Sequence, residues 1–100
     1  MTVTLLNNYT GLDFSQTNSL QASGGFVPPD TTGAAGPNSY VEAVNQSVAI
    51  YTPKTTGTGV KDSLADFFFT KGGLTPIAPP ATDAQSDSFV IWDSQVQRFI

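Results

Sequence analysis

This chain lacks the two side chains most used as general base and as thiolate nucleophile. Its 100 residues include no histidine and no cysteine. A Ser-His triad, a thiolate nucleophile and a thiolate metal site are therefore excluded. Carboxylates, tyrosine hydroxyls and carbonyl oxygens remain. Asp83, Asp87 and Asp93 lie close in sequence, and Asp30 joins them if consecutive sheets share a rim. Hard oxygen donors suit Ca²⁺, which takes about six to eight of them. These four aspartates are the candidate metal ligands, and calcium is the one cofactor they suggest. The Asp-x-Asp-x-Asp-Gly order of an EF-hand is missing. The plainer role for each is to cap a turn through side-chain-to-backbone hydrogen bonds.

Other constellations fall short of a reaction. A glycosidase needs two carboxylates bracketing the bond, and no pair here is recognisable by spacing. Ser86-Asp87-Ser88-Phe89 departs from a sialidase-type Asp-box at the glycine, and Trp92 comes too early. No catalytic residue is assigned. Gly33-Ala34-Ala35-Gly36 runs into Pro37-Asn38 where a phosphate loop needs Gly-Lys-Ser/Thr. Its small residues read instead as close packing against another backbone. Pro29, Asp30, Gly33, Gly36 and Pro37 are thus expected to form a structural loop. Trp92-Asp93 is a single WD dipeptide without its Gly-His partner. Tyr40, Tyr51 and Trp92 alternate with aliphatics, which favours burial over stacking on sugar rings. Asn8-Tyr9-Thr10 and Asn45-Gln46-Ser47 match the glycosylation sequon, a pattern that arises easily by chance in such a chain.

Elements must position these residues, and composition points to strands. Charged residues make up only 12% and apolar ones 39%, with net charge −4. Ser, Thr, Asn and Gln supply the polarity, a balance that suits strands and turns over exposed helices. The scattered Lys54, Lys61, Lys71 and Arg98 make no phosphate-binding patch, so nucleic acid is not an expected partner. No apolar run approaches the ~20 residues of a membrane span. No signal peptide is visible after Met1.

Tyr40–Val44 and Ser47–Tyr51 form the best strand pair, joined by Asn45-Gln46, where Asn tolerates the positive φ of a tight turn. Ser88–Trp92 is a second strong strand, Asp93–Gln95 a turn, and Gln97–Ile100 the start of another strand. Thr2–Leu6 is a weaker strand. Residues 12–25 read as loop, Thr31–Asn38 as an ordered turn, and Thr52–Gly59 as a polar loop. Ser63 caps a short helix near 63–69, ended by Gly72 or Gly73. Thr75–Ser86 is irregular. The two hairpins look alike at an offset of ~49 residues from Tyr40 to Phe89, near the ~50 of a kelch-type blade. The chain ends inside an apolar strand pattern, which reads as a truncated unit.

The stretch Gly24-Gly25-Phe26-Val27-Pro28-Pro29-Asp30-Thr31-Thr32-Gly33-Ala34-Ala35-Gly36-Pro37-Asn38 through Asn45 resembles the opening segment of a group of large bacterial secreted or cell-surface proteins with predicted β-propeller domains. Leu64–Phe69, Asp87, Phe89-Val90-Ile91, Trp92-Asp93 and Arg98-Phe99 follow in that family's order, so the likeness covers roughly residues 24–100. It carries no catalytic residue. It implies a mainly β fold: about one and a half blades of an incomplete propeller, with 1–23 as an N-terminal strand and loop and 24–100 as the propeller-like segment. A small β-sandwich is the alternative. The implied setting is extracellular or cell-surface. The implied role is a non-catalytic scaffold in a binding or adhesion protein, with the remaining blades of the polypeptide, and a carbohydrate or cell-surface ligand, as partners. The alternative role is part of a secreted carbohydrate-active hydrolase.

Overall fold

The computed structural model describes residues 1–21, 24–76, 85 and 87–100. The fold is mainly β. An antiparallel sheet runs in chain order through β1 (Thr31–Ala35), β2 (Tyr40–Val44), β3 (Ser47–Tyr51) and β4 (Gly59–Ser63). A two-stranded sheet pairs β5 (Trp92–Asp93) with β6 (Arg98–Phe99). A short helix, α1 (Phe14–Leu20), precedes them, and a π-helix spans Asp66–Lys71.

The β2–β3 hairpin forms as its residues dictate. Both strands are rich in β-branched and aromatic residues, and Val44 pairs with Ser47 across the Asn45-Gln46 turn. Asn45 sits at φ 52°, a left-handed conformation that Asn tolerates better than most residues. Its side chain also holds the next connection: Oδ1 accepts from Asp30 N at 2.8 Å and Nδ2 donates to Phe26 O at 3.0 Å.

Both faces of the four-stranded sheet are covered. Strand alternation puts Tyr40, Glu42, Val44, Ser47, Ala49 and Tyr51 on one face. The N-terminal arm and α1 lie there. Tyr9 stacks at a tilt on Tyr51 with ring centroids 5.1 Å apart, and Gln21 Nε2 donates to Ser47 Oγ at 2.9 Å. The opposite face carries Val41, Ala43, Val48 and Ile50. Val41 and Val48 form the core there with Leu64, and Ile50, Phe67, Val90 and Phe99 pack against it.

Several expectations are corrected. Residues 12–25 contain α1: Asp13 accepts from Gln16 N at 2.8 Å while Gln16 returns a bond to Asp13 N, a capping box that starts a helix without an apolar stripe. Thr31–Ala35 is a strand, because its five residues pair with β2 from Thr31↔Val44 to Ala35↔Tyr40. Backbone pairing overrides the weak β propensity of Gly and Ala. Gly59–Ser63 is likewise a strand, paired with β3. Thr2–Leu6 is not a strand, and Val3, Leu5 and Leu6 stay exposed. The short helix expected near 63–69 is present: Ser63 Oγ accepts from Asp66 N at 3.0 Å as its cap, Leu64 and Ala65 are helical, and the run continues as the π-helix Asp66–Lys71, with Gly72 at its end. In the second hairpin the ladder begins at Ile91, which exchanges two backbone bonds with Ile100. Ser88–Val90 lie outside it, and the turn is Ser94–Gln97, not Asp93–Gln95. Phe89 is therefore unpaired where Tyr40 is paired, so the two hairpins do not correspond at that register.

Candidate functional site

Three features among the described residues are candidate sites. The first is Glu42, a carboxylate on β2 that is only 8% exposed. It accepts from Leu12 N at 3.0 Å and from Tyr51 Oη at 3.1 Å. Gly11 leaves room beside it: a Cβ there would come 2.5 Å from Glu42 Oε1 and would displace the carboxylate. Burial first, then the Glu42 charge and its hydrogen bond, push the Tyr51 hydroxyl well above its usual pKa of 10.0. Burial and the same charge also raise Tyr40. Tyr51 is thus held protonated and donating. This arrangement ties the N-terminal arm to the sheet; Tyr51 is fully buried, which keeps substrate from its hydroxyl. Sequence reasoning missed Glu42. The available signal was a lone acid within the apolar run Tyr40–Val44.

The second feature is an apolar cleft of ≈ 710 Å³ between the sheet and the β5–β6 hairpin. Val41, Val48, Leu64, Phe67, Val90 and Phe99 lie along it. Phe89 is 76% exposed and Ile100 65% exposed at its margin. Trp92 meets Phe99 edge-on at 4.9 Å. Gly36 is buried beneath this pair, and a Cβ there would lie 2.9 Å from the Trp92 ring.

The third feature is a rim pocket of ≈ 310 Å³ lined by Phe26, Pro28, Asp30, Asn45, Gln46 and Asp87. It places the four candidate calcium ligands as follows. Asp30 and Asp87 share the pocket. Asp93 does not line it; its Oδ1 accepts from Gln95 N at 2.8 Å and Val96 N at 3.2 Å, which is turn capping. Asp83 lies outside the described residues. No group of three or more metal-ligating acids occurs among the described residues.

The expected structural loop is spread over one strand and its ends. Pro29 lines a separate apolar pocket with Leu12 and Phe14. Asp30 exchanges bonds with Asn45 just before β1. Gly33 lies within β1 opposite Glu42, Gly36 follows β1, and Pro37 is exposed in the β1–β2 connection. The other acids have local duties. Asp13 caps α1, Asp62 pairs with Lys71, and Asp66 accepts from Thr70 Oγ1. No helix among the described residues is long and apolar enough to cross a membrane. Comparison with protein-family models, with curated proteins and with solved structures finds no match to this chain.

Proposed function

We propose that the chain is the opening blade of a β-propeller with the start of the next, serving as a non-catalytic scaffold in an extracellular binding or adhesion protein. One observation supports the reading: the β5–β6 hairpin lies against the Val41 and Val48 face of the four-stranded sheet. The last pair before the β1–β2 turn is Gly36 with Ser39, joined by a 2.9 Å backbone bond. The last pair before the β5–β6 turn is Asp93 with Arg98. Aligned on these, Ala35↔Tyr40 corresponds to Trp92↔Phe99. Ala35 and Tyr40 share the Glu42 face of the first sheet. Trp92 and Phe99 line the cleft against its opposite face. Like face therefore meets unlike face, which is how repeated blades stack.

Two further facts support it. A four-stranded antiparallel meander is the unit of a propeller blade. Its first strand, Thr-Thr-Gly-Ala-Ala, is an edge built of small residues, as a crowded central channel requires. Asp30 also stands five positions before Ala35, and Asp87 five before Trp92. In this reading the cleft is a blade interface that later strands complete, and the ligand surface belongs to the closed ring.

The test compares residues 1–100 alone with a version extended by the sequence encoded downstream. Urea unfolding, dye binding to exposed apolar surface and light scattering are measured on both. The proposal expects the short version to bind dye and unfold with a shallow transition, and the extended one to unfold cooperatively. A short version that is monomeric, dye-silent and cooperative is a self-sufficient sandwich, and the blade reading fails. A carboxylate pair bracketing a bound sugar on the ring's rim would move the assignment to a hydrolase.

A further inference from the structure

We propose that the rim pocket between the start of β1 and the β2–β3 turn is a calcium site, with the Asp30 and Asp87 carboxylates and Gln46 Oε1 as its protein ligands. Both aspartates line the pocket, and neither carboxylate is engaged by a hydrogen bond or ion pair among the described residues. Both are anchored to one residue, Asn45. Its N and Oδ1 bond Asp30 O and N at 2.9 and 2.8 Å. Its carbonyl accepts from Ser88 Oγ, next to Asp87, at 3.3 Å.

The independent observation is Gln46. It lines the same pocket, its residue is 9% exposed, and its Oε1 is buried without a hydrogen-bond partner. Such an orphaned acceptor is costly to bury, and a cation removes that cost. No lysine or arginine among the described residues lines the pocket. The donors are all hard oxygens, and the pocket's width leaves the remaining coordination positions to water. Ca²⁺ tolerates that irregular shell, whereas Mg²⁺ demands near-ideal octahedral geometry. Three protein donors suit the weak range of extracellular modules, Kd of about 10⁻⁴–10⁻³ M. The inference stands on this pocket alone and does not need the propeller reading.

The test is calorimetric titration of the native-length protein with CaCl₂, repeated with MgCl₂. A site in that affinity range is expected, with Mg²⁺ at least tenfold weaker. The double variant Asp30→Asn/Asp87→Asn should lose that site or weaken it at least tenfold, and Gln46→Glu should tighten it. Asp93→Asn should leave it unchanged. Since Asp87 is exposed, Asp87→Asn alone keeps the test valid if the double variant misfolds, and must weaken binding at least threefold. Absence of any site, or equal binding by Asp87→Asn and wild type, overturns the proposal.

Discussion

Replacing Tyr51 by Phe removes one hydroxyl from the most buried polar contact in the sheet. The ring keeps its place against Tyr9 and Tyr40, with centroids at 5.1 and 5.9 Å. Glu42 loses the 3.1 Å donor and, among the described residues, keeps the Leu12 N–H. A hydrogen bond to a charged group contributes about 1.5–3 kcal/mol. At neutral pH the variant should be less stable by that amount, about 6–24 °C in Tm for a domain of this size. The pH dependence supplies a second, sharper mark. The native hydroxyl titrates above its ordinary value of 10.0, so the folded state holds that proton more tightly than the unfolded chain does. The contribution is complete below pH 10 and is lost as pH rises from there toward the native value. Unfolded-state ionisation alone narrows the gap between the two proteins by about 1.4 kcal/mol between pH 7 and pH 11. Lys71 and Tyr40 are also raised, but both proteins share that loss. The assay is urea unfolding followed by circular dichroism from pH 7 to 11, in the shortest version of the protein that unfolds cooperatively. Equal stability within about 0.5 kcal/mol at pH 7, or a gap that does not narrow above pH 10, would refute the argument; the first figure is the ordinary scatter of neutral surface changes.

Two smaller changes probe the packing of the same sheet. Gly36→Ala places a methyl 2.9–3.0 Å from the Trp92 and Phe99 rings; it should cost about 1–3 kcal/mol and shift Trp92 emission, whereas unchanged emission and stability would remove Gly36 from the interface. Asn45→Val puts a branched side chain at φ 52° and deletes bonds to Asp30 N and Phe26 O. It should cost about 2–4 kcal/mol from strain and lost bonds together, and Asn45→Gly, which relieves only the strain, should fall between it and wild type in urea midpoint.

Legibility followed how local the determining physics was. The β2–β3 hairpin was readable because apolar β-formers flank an Asn that accepts positive φ. Ser63 was readable as a cap because capping is a contact between neighbours in sequence. β1 was misread because nothing in Thr-Thr-Gly-Ala-Ala demands a strand; only its pairing partner does. α1 has no apolar periodicity to reveal it, because Asp13 and Gln16 start the helix with polar bonds alone. Of the candidate calcium ligands, sequence proximity grouped Asp83, Asp87 and Asp93, yet folding separates Asp93 from Asp87 and brings Asp30 to it across β1.

What the residue types determined by themselves was the available chemistry: with no imidazole and no thiol, metal ligation falls to oxygen donors, in a chain whose Val, Tyr and Ile runs demand sheet. Tertiary structure alone decided that Glu42 is buried under the N-terminal arm, that Gly36 lies beneath Trp92, and that Asp30, Asp87 and Gln46 share one pocket. Those relations join residues distant along the chain, and sheet register and the packing of layers bring them together; a one-residue slip of β2 alone would turn Glu42 to the opposite face.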